Sequence, residues 1–150
     1  MDVTFRPATL DDLDAIVGLL TDDPVSRERE GTGGVTDRHR QAFAAIAADE
    51  RQLLLVADAA GAVVASLQVT FIPGLTYGGD ERCQLEAVHV ASSHRGGGLG
   101  SRLVEHAIGL ARQRGCAVVQ LTSDKRRTDA IRFYEALGFT ASHELSLIHI

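Results

Sequence analysis

The most informative segment of the chain is residues 88–101, Val88-His-Val-Ala-Ser-Ser-His-Arg-Gly-Gly-Gly-Leu-Gly-Ser101. An apolar strand runs here into a glycine-rich turn and then into the first residues of an amphipathic helix. Glycine lets the backbone approach a ligand and point its N–H groups inward, because no Cβ atom stands in the way. The helix that follows adds a positive dipole end and unpaired donors. The segment therefore predicts a site for a phosphate or pyrophosphate group.

Two familiar phosphate-binding motifs do not fit this turn. The Walker loop ends in Gly-Lys-Ser/Thr, whereas this segment ends in Leu99-Gly-Ser-Arg102. The dinucleotide motif places G-x-G-x-x-G in the first strand–helix unit, whereas this turn lies past mid-chain and has Ser101 at the third glycine position. The remaining alternative is a helix entry that binds nothing. Glycine costs a helix on the order of 1 kcal/mol per residue, which favours a ligand.

Apolar spacing and capping residues predict the other elements. The predicted strands lie at residues 3–6, 53–57, 63–71, 84–90 and 117–121. The predicted helices begin at Thr9 with Asp12 as capping-box partner, near Thr36, after the glycine turn, and at Thr128. Residues 24–35 are polar and glycine-rich, which predicts a mobile loop. A helix between the strands at 84–90 and 117–121 predicts that these two strands are parallel.

Two motifs resemble those of the Gcn5-related N-acetyltransferases, the GNAT family. Arg95-x-x-Gly98-x-Gly100 resembles the family's acyl-CoA-binding motif, Arg/Gln-x-x-Gly-x-Gly/Ala. The run Ala130-Ile-Arg-Phe-Tyr-Glu-Ala-Leu-Gly-Phe139 resembles its second hallmark, a helix that ends in Phe-Tyr-Glu-x-x-Gly-Phe. With residues 5–9, the likeness covers nearly the whole chain and implies a single N-acetyltransferase domain over residues 1–150.

The resemblance implies an α/β (α+β) fold, a mixed and mostly antiparallel sheet of about six or seven strands flanked by about four helices. It also implies that the strands near Val88–Val90 and Val118–Leu121 splay apart and admit the pantetheine of acetyl-CoA. Backbone groups of Val88 and Val90 would pair with the pantetheine amides, as a strand adds to a sheet edge. The amides of seven consecutive residues would hold the pyrophosphate: Arg95, Gly96, Gly97, Gly98, Leu99, Gly100 and Ser101.

Arg127 departs from the family pattern, which often has asparagine at this position. One interpretation is that Arg127 reaches a CoA phosphate through charge-assisted hydrogen bonds. The other is that it belongs to a solvated basic turn with Lys125 and Arg126.

Acetyl transfer to an amine needs a group that removes a proton from the amine, because a lysine-like amine is almost entirely protonated at neutral pH. Glu86 is the first candidate, since it shares a nominal strand face with Val88 and Val90. The alternative for Glu86 is an ion pair with a neighbouring arginine. His89 points to the other face unless a β-bulge shifts the register, and Gln84 can only position substrate or water.

The resemblance implies that Tyr134 is the general acid that protonates the CoA thiolate. A phenol of pKa near 10 suits a thiolate whose conjugate acid lies near 8.5. The alternative is a core aromatic at helical spacing with Phe133. The backbone N–H of Val90 is the predicted donor to the oxyanion.

The predicted function is that of an acetyl-CoA-dependent N-acetyltransferase, which transfers an acetyl group to a primary amine of a small molecule or peptide by direct attack in a ternary complex. Acidic residues at 22–35 and 80–81 favour a cationic acceptor, although a solvated acidic surface explains them equally well. A non-catalytic acyl-CoA-binding sensor or regulatory module on the same fold is the alternative. A nucleotide-binding protein is a third.

Composition limits the partners. The formal net charge of -5 argues against nucleic acid, and no apolar run approaches the roughly 20 residues of a membrane span. The N-terminus lacks a signal-peptide pattern, so we expect a cytoplasmic protein. Cys83 and Cys116 are expected to be small buried hydrophobes. The six histidines show no metal-ligand spacing, so no metal is expected. We expect a monomer or a homodimer.

Residues 145–150, Leu-Ser-Leu-Ile-His-Ile, match a peptide encoded by the transposon end sequence used to make DNA sequencing libraries. This match predicts a non-native tail. We therefore exclude these residues from the functional argument.

Overall fold

The structure, a computed structural model, describes residues 2–31 and 33–150; Met1 and Thr32 lie outside the described residues. Five strands and five α-helices are found in the described part. The strands are β1 (Thr4–Pro7), β2 (Gln52–Ala59), β3 (Ala62–Ile72), β4 (Arg82–Val90) and β5 (Val118–Leu121). The helices are α1 (Leu13–Leu20), α2 (Pro24–Glu30), α3 (Asp37–Ala48), α4 (Leu99–Arg114) and α5 (Thr128–Ala136).

The strands form one sheet in the order β1-β2-β3-β4-β5. Each pair from β1 to β4 is antiparallel. The N–H of Ala117 donates to the carbonyl of Glu81, and the Gln120 side chain donates to that of Gln84. These contacts advance in the same direction along both strands, as expected of a parallel pair. The sheet is therefore mixed and mostly antiparallel, which confirms the predicted fold class.

The chain divides into two compact units, residues 1–120 and residues 121–150. We describe each unit by itself. The assignment of residues 1–150 to one domain stays a prediction. Within the described residues, we find no helix with both the length and the apolar character that crossing a membrane requires.

One face of the sheet is apolar and packs against α4. The face carries Phe5, whose ring centroid lies 5.1 Å from that of His106 on α4. The α4 residues predicted to face the core are almost all buried: Leu99, Leu103, Val104, Ala107 and Ala111. The alternation predicted for β3 agrees with the burial of Leu67 and Val69 beside the half-buried Gln68 and Thr70. Ser66, predicted on the polar side, is also buried. Packing against α4 thus fixes which residues of β3 and β4 face away from it.

The prediction of a loop over residues 24–35 is wrong for its first half, because residues 24–30 form α2. Asp23 caps this helix by accepting the N–H of Ser26 at 2.9 Å. Pro24 occupies the first turn, where its missing N–H costs nothing. The Asp-Pro pair therefore begins a helix as well as ending the preceding one. This segment raises the number of α-helices from the expected four to five.

The sheet has five strands among the described residues, not six or seven. Residues 139–150 contain neither helix nor strand in the structure. The large apolar side chains of residues 145–150 are exposed, including Leu147 and Ile148. A strand is stable only when its backbone groups pair with a neighbouring strand. Residues 145–147 and 148–150 each alternate between apolar and polar side chains, but they pair with no strand among the described residues.

The prediction that α3 buries Phe43, Ile46 and Ala47 is also wrong. The start of α3 at Asp37 after a Thr36 cap is as predicted, but Phe43 and Ile46 are only half-buried and Ala47 is exposed. These residues line a groove along β2 and residues 7–8 instead of entering the core.

The first turn of the chain is held by Asp12, which accepts two hydrogen bonds from Arg6, at 2.7 and 3.0 Å. The same carboxylate accepts the N–H of Thr9 at 2.8 Å, which completes the predicted capping box. The hydrogen bond from Arg6 is the main reason that the pKa of Asp12 falls from 3.8 to about 2. The Asp12 side chain is 10% exposed and that of Arg6 is 30% exposed, so solvent screens the pair only in part.

We expect Asp12→Asn to lower the free energy of unfolding by about 2 kcal/mol at pH 7. A depressed carboxyl pKa stabilises the fold above its unfolded value of 3.8, and this contribution is lost as the pH falls towards 2. Urea unfolding at pH 7 and pH 2 measures the difference, which should shrink at the lower pH. Asp37→Asn is the control, because the Asp37–Arg40 pair is exposed. A difference in unfolding free energy between wild type and Asp12→Asn that is the same at both pH values would contradict a stabilising role for the ionised Asp12 carboxylate.

Candidate functional site

A β-bulge interrupts β4 three residues before its end. Leu85 and Glu86 pair with Val69 and Gln68, whereas His89 pairs with Ser66, so two residues of β4 lie opposite one residue of β3. Ala87, inside this bulge, has a φ of 52°, in the left-handed region that non-glycine residues rarely occupy. Bulges are common beside active sites, where they redirect side chains. This part of β4 is therefore a candidate site on backbone geometry alone.

The bulge changes which side chains share a face of the sheet. Glu86 and His89 pair with Gln68 and Ser66, two residues on the same side of β3. We call this side, opposite α4, the polar sheet face. Val90 pairs with Ala65 and lies on the other side. The prediction that Glu86 shares a face with Val90 is therefore wrong, and the extra residue in the bulge is the reason. The register shift that the sequence left open for His89 is present.

The peptide groups of Val90 point away from β3. The N–H of Ala91 donates to the carbonyl of Val64 at 2.8 Å. Peptide groups alternate in direction along a strand, so those of Val90 point to the opposite edge of β4. Val88 lies in the bulge, where regular alternation is interrupted. The N–H of Val90, assigned to the oxyanion, thus lies on the edge away from β3, and the Val90 carbonyl on that edge accepts Nε of Arg95 at 3.1 Å.

After β4, a short 3-10 turn over Ser92–His94 leads into the glycine turn and α4. Gly96 and Gly98 have φ values of 83° and 81°, which favour glycine at both positions. Gly98 is the N-cap of α4, and no side chain caps this end of the helix among the described residues. A Cβ atom built at residues 96, 97 or 98 meets no heavy atom within 4 Å. The turn therefore presents uncapped N–H groups beside open space.

Leu99 and Ser101 lie in the first turn of α4, together with Gly100. Leu99 is 5% exposed and anchors the helix start in the core. This anchor fixes the direction of the helix axis and of the N–H groups at its N-terminus. The structure thus brings the predicted pyrophosphate-binding residues together at one end of one long helix.

The Arg95 side chain contacts the protein on two sides. Its Nε donates to the carbonyl of Val90 at 3.1 Å, and its Nη2 donates to Asp22 Oδ2 at 3.1 Å. The same oxygen of Asp22 accepts the N–H of Ser92 at 3.2 Å. No local pattern could indicate this contact, because Asp22 lies 73 residues from Arg95.

His89 is 8% exposed, and its Nδ1 lies 3.9 Å from Asp23 Oδ2. Asp23 also accepts the Ser26 hydroxyl at 2.9 Å. The contact between His89 and Asp23 therefore joins the bulged part of β4 to the start of α2. Glu86, by contrast, is exposed on the polar sheet face.

A row of polar side chains crosses the polar sheet face and was missed by the sequence analysis, apart from Gln84. Near one edge, Gln52 accepts hydrogen bonds from Gln68 and Thr70, at 3.0 and 2.9 Å. Near the other, the Gln120 side chain accepts from Arg82 and donates to Gln84, both at 3.0 Å. These side chains come from four strands, so only the register brings them together. The alternation of apolar and polar residues within β3 was the one sequence signal that pointed to this polar row.

The second unit contains Tyr134 and Arg127. Tyr134 lies on α5, half-buried, with the rings of Phe133 and Phe139 at centroid distances of 5.0 and 5.9 Å. Burial raises the pKa of Tyr134 above its usual value of 10, and the positive charge of Arg127 partly opposes this shift. Arg127 is the N-cap residue of α5. Tyr134 is therefore a protonated phenol at neutral pH.

Neither cysteine is suited to carry an acyl group. Burial raises the pKa of Cys83 to about 12 and also raises that of Cys116. A thiol is nucleophilic only as a thiolate, and these thiols are protonated at neutral pH. In the part of the chain that the structure describes, no cluster of three or more His, Cys, Asp or Glu residues could hold a metal ion.

The comparisons with known proteins agree with this geometry. The acetyltransferase (GNAT) family matches residues 14–139. The chain therefore belongs to the GNAT family of acetyltransferases, as the two motifs indicated. Streptothricin acetyltransferase of Streptomyces lavendulae is 30% identical over 124 residues, which cover 83% of this chain and 57% of that protein. The chain spans between 17% and 57% of the length of the curated relatives it matches.

Solved structures are similar over nearly the whole chain, among them the following two. A transcriptional regulator from Bacillus halodurans C-125 is 46% identical with a TM-score of 0.95, and the match covers 99% of this chain and 100% of that one. An acetyltransferase of Trypanosoma brucei is 26% identical with a TM-score of 0.81, again over 99% and 100% of the two chains.

Proposed function

We propose that the protein is an acetyl-CoA-dependent N-acetyltransferase that acetylates a primary amine of a small molecule or peptide. The observation that carries the proposal is the uncapped N-terminus of α4, preceded by a glycine turn and by peptide groups of Val90 that point away from β3. A helix N-terminus of this kind suits an anionic group such as a diphosphate. Strand N–H and C=O groups that do not bond to β3 suit an amide-rich chain such as pantetheine.

In this proposal the cofactor-binding residues act through their backbones. The amides of residues 95–101 bind the pyrophosphate, and peptide groups of Val88 and Val90 bind the pantetheine. The Arg95 side chain is already bonded to Asp22 and Val90. Its N–H donates to the carbonyl of Ser92 at 3.5 Å, so the proposed contribution of this amide to the pyrophosphate replaces that long hydrogen bond. Arg127 is proposed to reach a CoA phosphate.

Acetyl-CoA supplies a thioester, and the attack of the amine nitrogen on its carbonyl carbon forms a C–N bond while the C–S bond breaks. Glu86, directly or through water, accepts the proton that the amine loses. The N–H of Val90 donates to the oxyanion that develops on the carbonyl oxygen. Tyr134 donates its phenolic proton to the departing thiolate sulfur. Direct attack agrees with the protonated state of both cysteines, which disfavours an acyl-cysteine intermediate.

The acceptor is proposed to be a cationic amine, but the acidic surface gives this less support than the sequence suggested. Glu30 pairs with Arg29, and Glu81 pairs with both Arg51 and Arg114. The remaining support is the exposed Glu86 on the polar sheet face and the similarity to an enzyme that acetylates streptothricin. The cytoplasmic location and the monomeric or homodimeric state stay predictions.

The test is acetyl-CoA consumption with a panel of amines that includes polyamines, aminoglycosides, lysine peptides and peptides with free N-termini. We expect saturable release of CoA with at least one member of the panel. Absence of CoA binding would refute the proposal altogether.

Within this scheme, we expect Glu86→Gln to lower kcat at neutral pH by about 10- to 100-fold, because the amide cannot accept the proton of the amine. The KM for acetyl-CoA should change little. Glu105→Gln is the matched control, since Glu105 is exposed on α4, at the opposite face of the sheet. Equal kcat values for wild type and Glu86→Gln would remove Glu86 from the mechanism.

A second candidate function is a non-catalytic acyl-CoA sensor or regulatory module. The observation that favours it is the 46% identity to a structure described as a transcriptional regulator. Saturable acetyl-CoA binding without turnover on any amine would favour this function over catalysis.

A further inference from the structure

We propose that Asp22 is a positioning residue for the segment that links β4 to the glycine turn, residues 91–95, and so for the coenzyme site. The inference rests on the proposed function, because the proposed function assigns coenzyme A to the glycine turn. It concerns a side chain far away in sequence, at the junction of α1 and α2.

The first support is the geometry of the Asp22 carboxylate. One oxygen, Oδ2, accepts both the N–H of Ser92 at 3.2 Å and the Nη2 of Arg95 at 3.1 Å. Arg95 in turn donates from Nε to the carbonyl of Val90 at 3.1 Å. Asp22 therefore fixes two points of the segment directly and contacts the end of β4 through Arg95.

The second support is that the neighbouring residue holds the other side of Val90. Asp23 Oδ2 lies 3.9 Å from Nδ1 of the buried His89. Two consecutive carboxylates at one junction thus contact β4 just before Val90 and the segment just after it. The direction of the Val90 peptide groups depends on both contacts.

The third support is exposure. The Asp22 and Arg95 side chains are 33% and 49% exposed, and pairs of this kind contribute little to global stability. A contact that stabilises the fold weakly but orders a binding segment acts through preorganisation, since a ligand then pays less conformational entropy when it binds. Loss of Asp22 should therefore affect coenzyme affinity more than unfolding.

The experiment compares wild type, Asp22→Ala, Asp22→Asn, Arg95→Ala and the double variant Asp22→Ala/Arg95→Ala. Calorimetry with CoA gives the Kd, and amide hydrogen exchange of Ser92 is measured without CoA. We expect Asp22→Ala to raise Kd roughly tenfold, because a small misplacement of binding groups is costly. Asp22→Asn keeps an acceptor oxygen and should recover most of the affinity. The loss of affinity in the double variant should be smaller than the sum of the two single losses, since both substitutions remove the Asp22–Arg95 contact.

The Ser92 amide distinguishes positioning from a general loss of structure. Its exchange should accelerate in Asp22→Ala and stay near the wild-type rate in Arg95→Ala, because only Asp22 accepts that hydrogen bond. Asp37→Ala removes an exposed carboxylate–arginine pair elsewhere and should leave both readouts unchanged.

A Kd within twofold of wild type for Asp22→Ala, or an unchanged Ser92 exchange rate, would overturn the positioning role while the proposed function stands. A wild-type protein that binds no CoA overturns both, and is recognised before any variant is made. If Asp22→Ala does not fold, Asp22→Leu, which keeps the branching at Cγ and removes both acceptor oxygens, supplies the same comparison.

Discussion

Tyr134→Phe is expected to lower kcat by about 100-fold or more while the Kd for acetyl-CoA stays close to that of wild type. The change removes one oxygen atom and keeps the ring that contacts Phe133 and Phe139. Proton donation by a positioned side chain accounts for about 10²- to 10⁴-fold in rate. A loss confined to kcat is therefore the result that a general acid predicts.

The pH dependence of kcat adds a second test of the same residue. Burial raises the pKa of Tyr134 above 10, so the phenol keeps its proton at higher pH than a tyrosine in water does. Activity should not fall between pH 7 and about 9.5 through ionisation of this tyrosine. Tyr77→Phe is the control, because the chain has two tyrosines and Tyr77 is 51% exposed. Equal losses of kcat and affinity in Tyr134→Phe would instead indicate a packing role.

Gly98→Ala is the second change with a large expected effect. Gly98 has a φ of 81°, and its carbonyl accepts the N–H of Arg102 as α4 begins. An alanine in the left-handed region costs about 1–2 kcal/mol, so the first turn of α4 should shift to relieve the strain. The N–H groups of that turn would then point elsewhere, and we expect the Kd for CoA to rise by about tenfold or more.

Gly115→Ala is the matched control for Gly98→Ala. Gly115 caps the other end of the same helix with a φ of 83°, so the backbone strain is of the same kind. Both variants should lose similar stability in urea unfolding, whereas only Gly98→Ala should lose CoA affinity. Similar affinity for CoA in the two variants would show that the N-terminus of α4 does not bind the coenzyme.

Local sequence patterns predicted the parts of the fold that local physics controls. The capping box of Thr9 and Asp12, the apolar face of α4 and the Gly115 cap depend on neighbours within a few residues, and all three are present. The α2 helix was missed because the glycines of residues 31–34 outweighed the Asp23 cap and Pro24.

The parts that sequence could not predict depend on register. No glycine or proline marks the bulge in β4, so nothing local showed that Glu86 and His89 share a face. The same holds for the polar row from Gln52 to Gln120, which needs four strands in their correct alignment. The contact of Asp22 with Arg95 joins residues 73 positions apart, and only the folded chain brings them together.

The most direct test of the central claim is a titration of the ¹⁵N-labelled protein with coenzyme A, followed by amide resonances. The account predicts large, saturable shifts for Val90 and residues 96–101, with little change near Gly115 at the far end of α4. Amide resonances of residues 96–101 that stay unchanged at saturating coenzyme A would contradict the assignment of this turn to the pyrophosphate, and with it the proposed acetyl transfer.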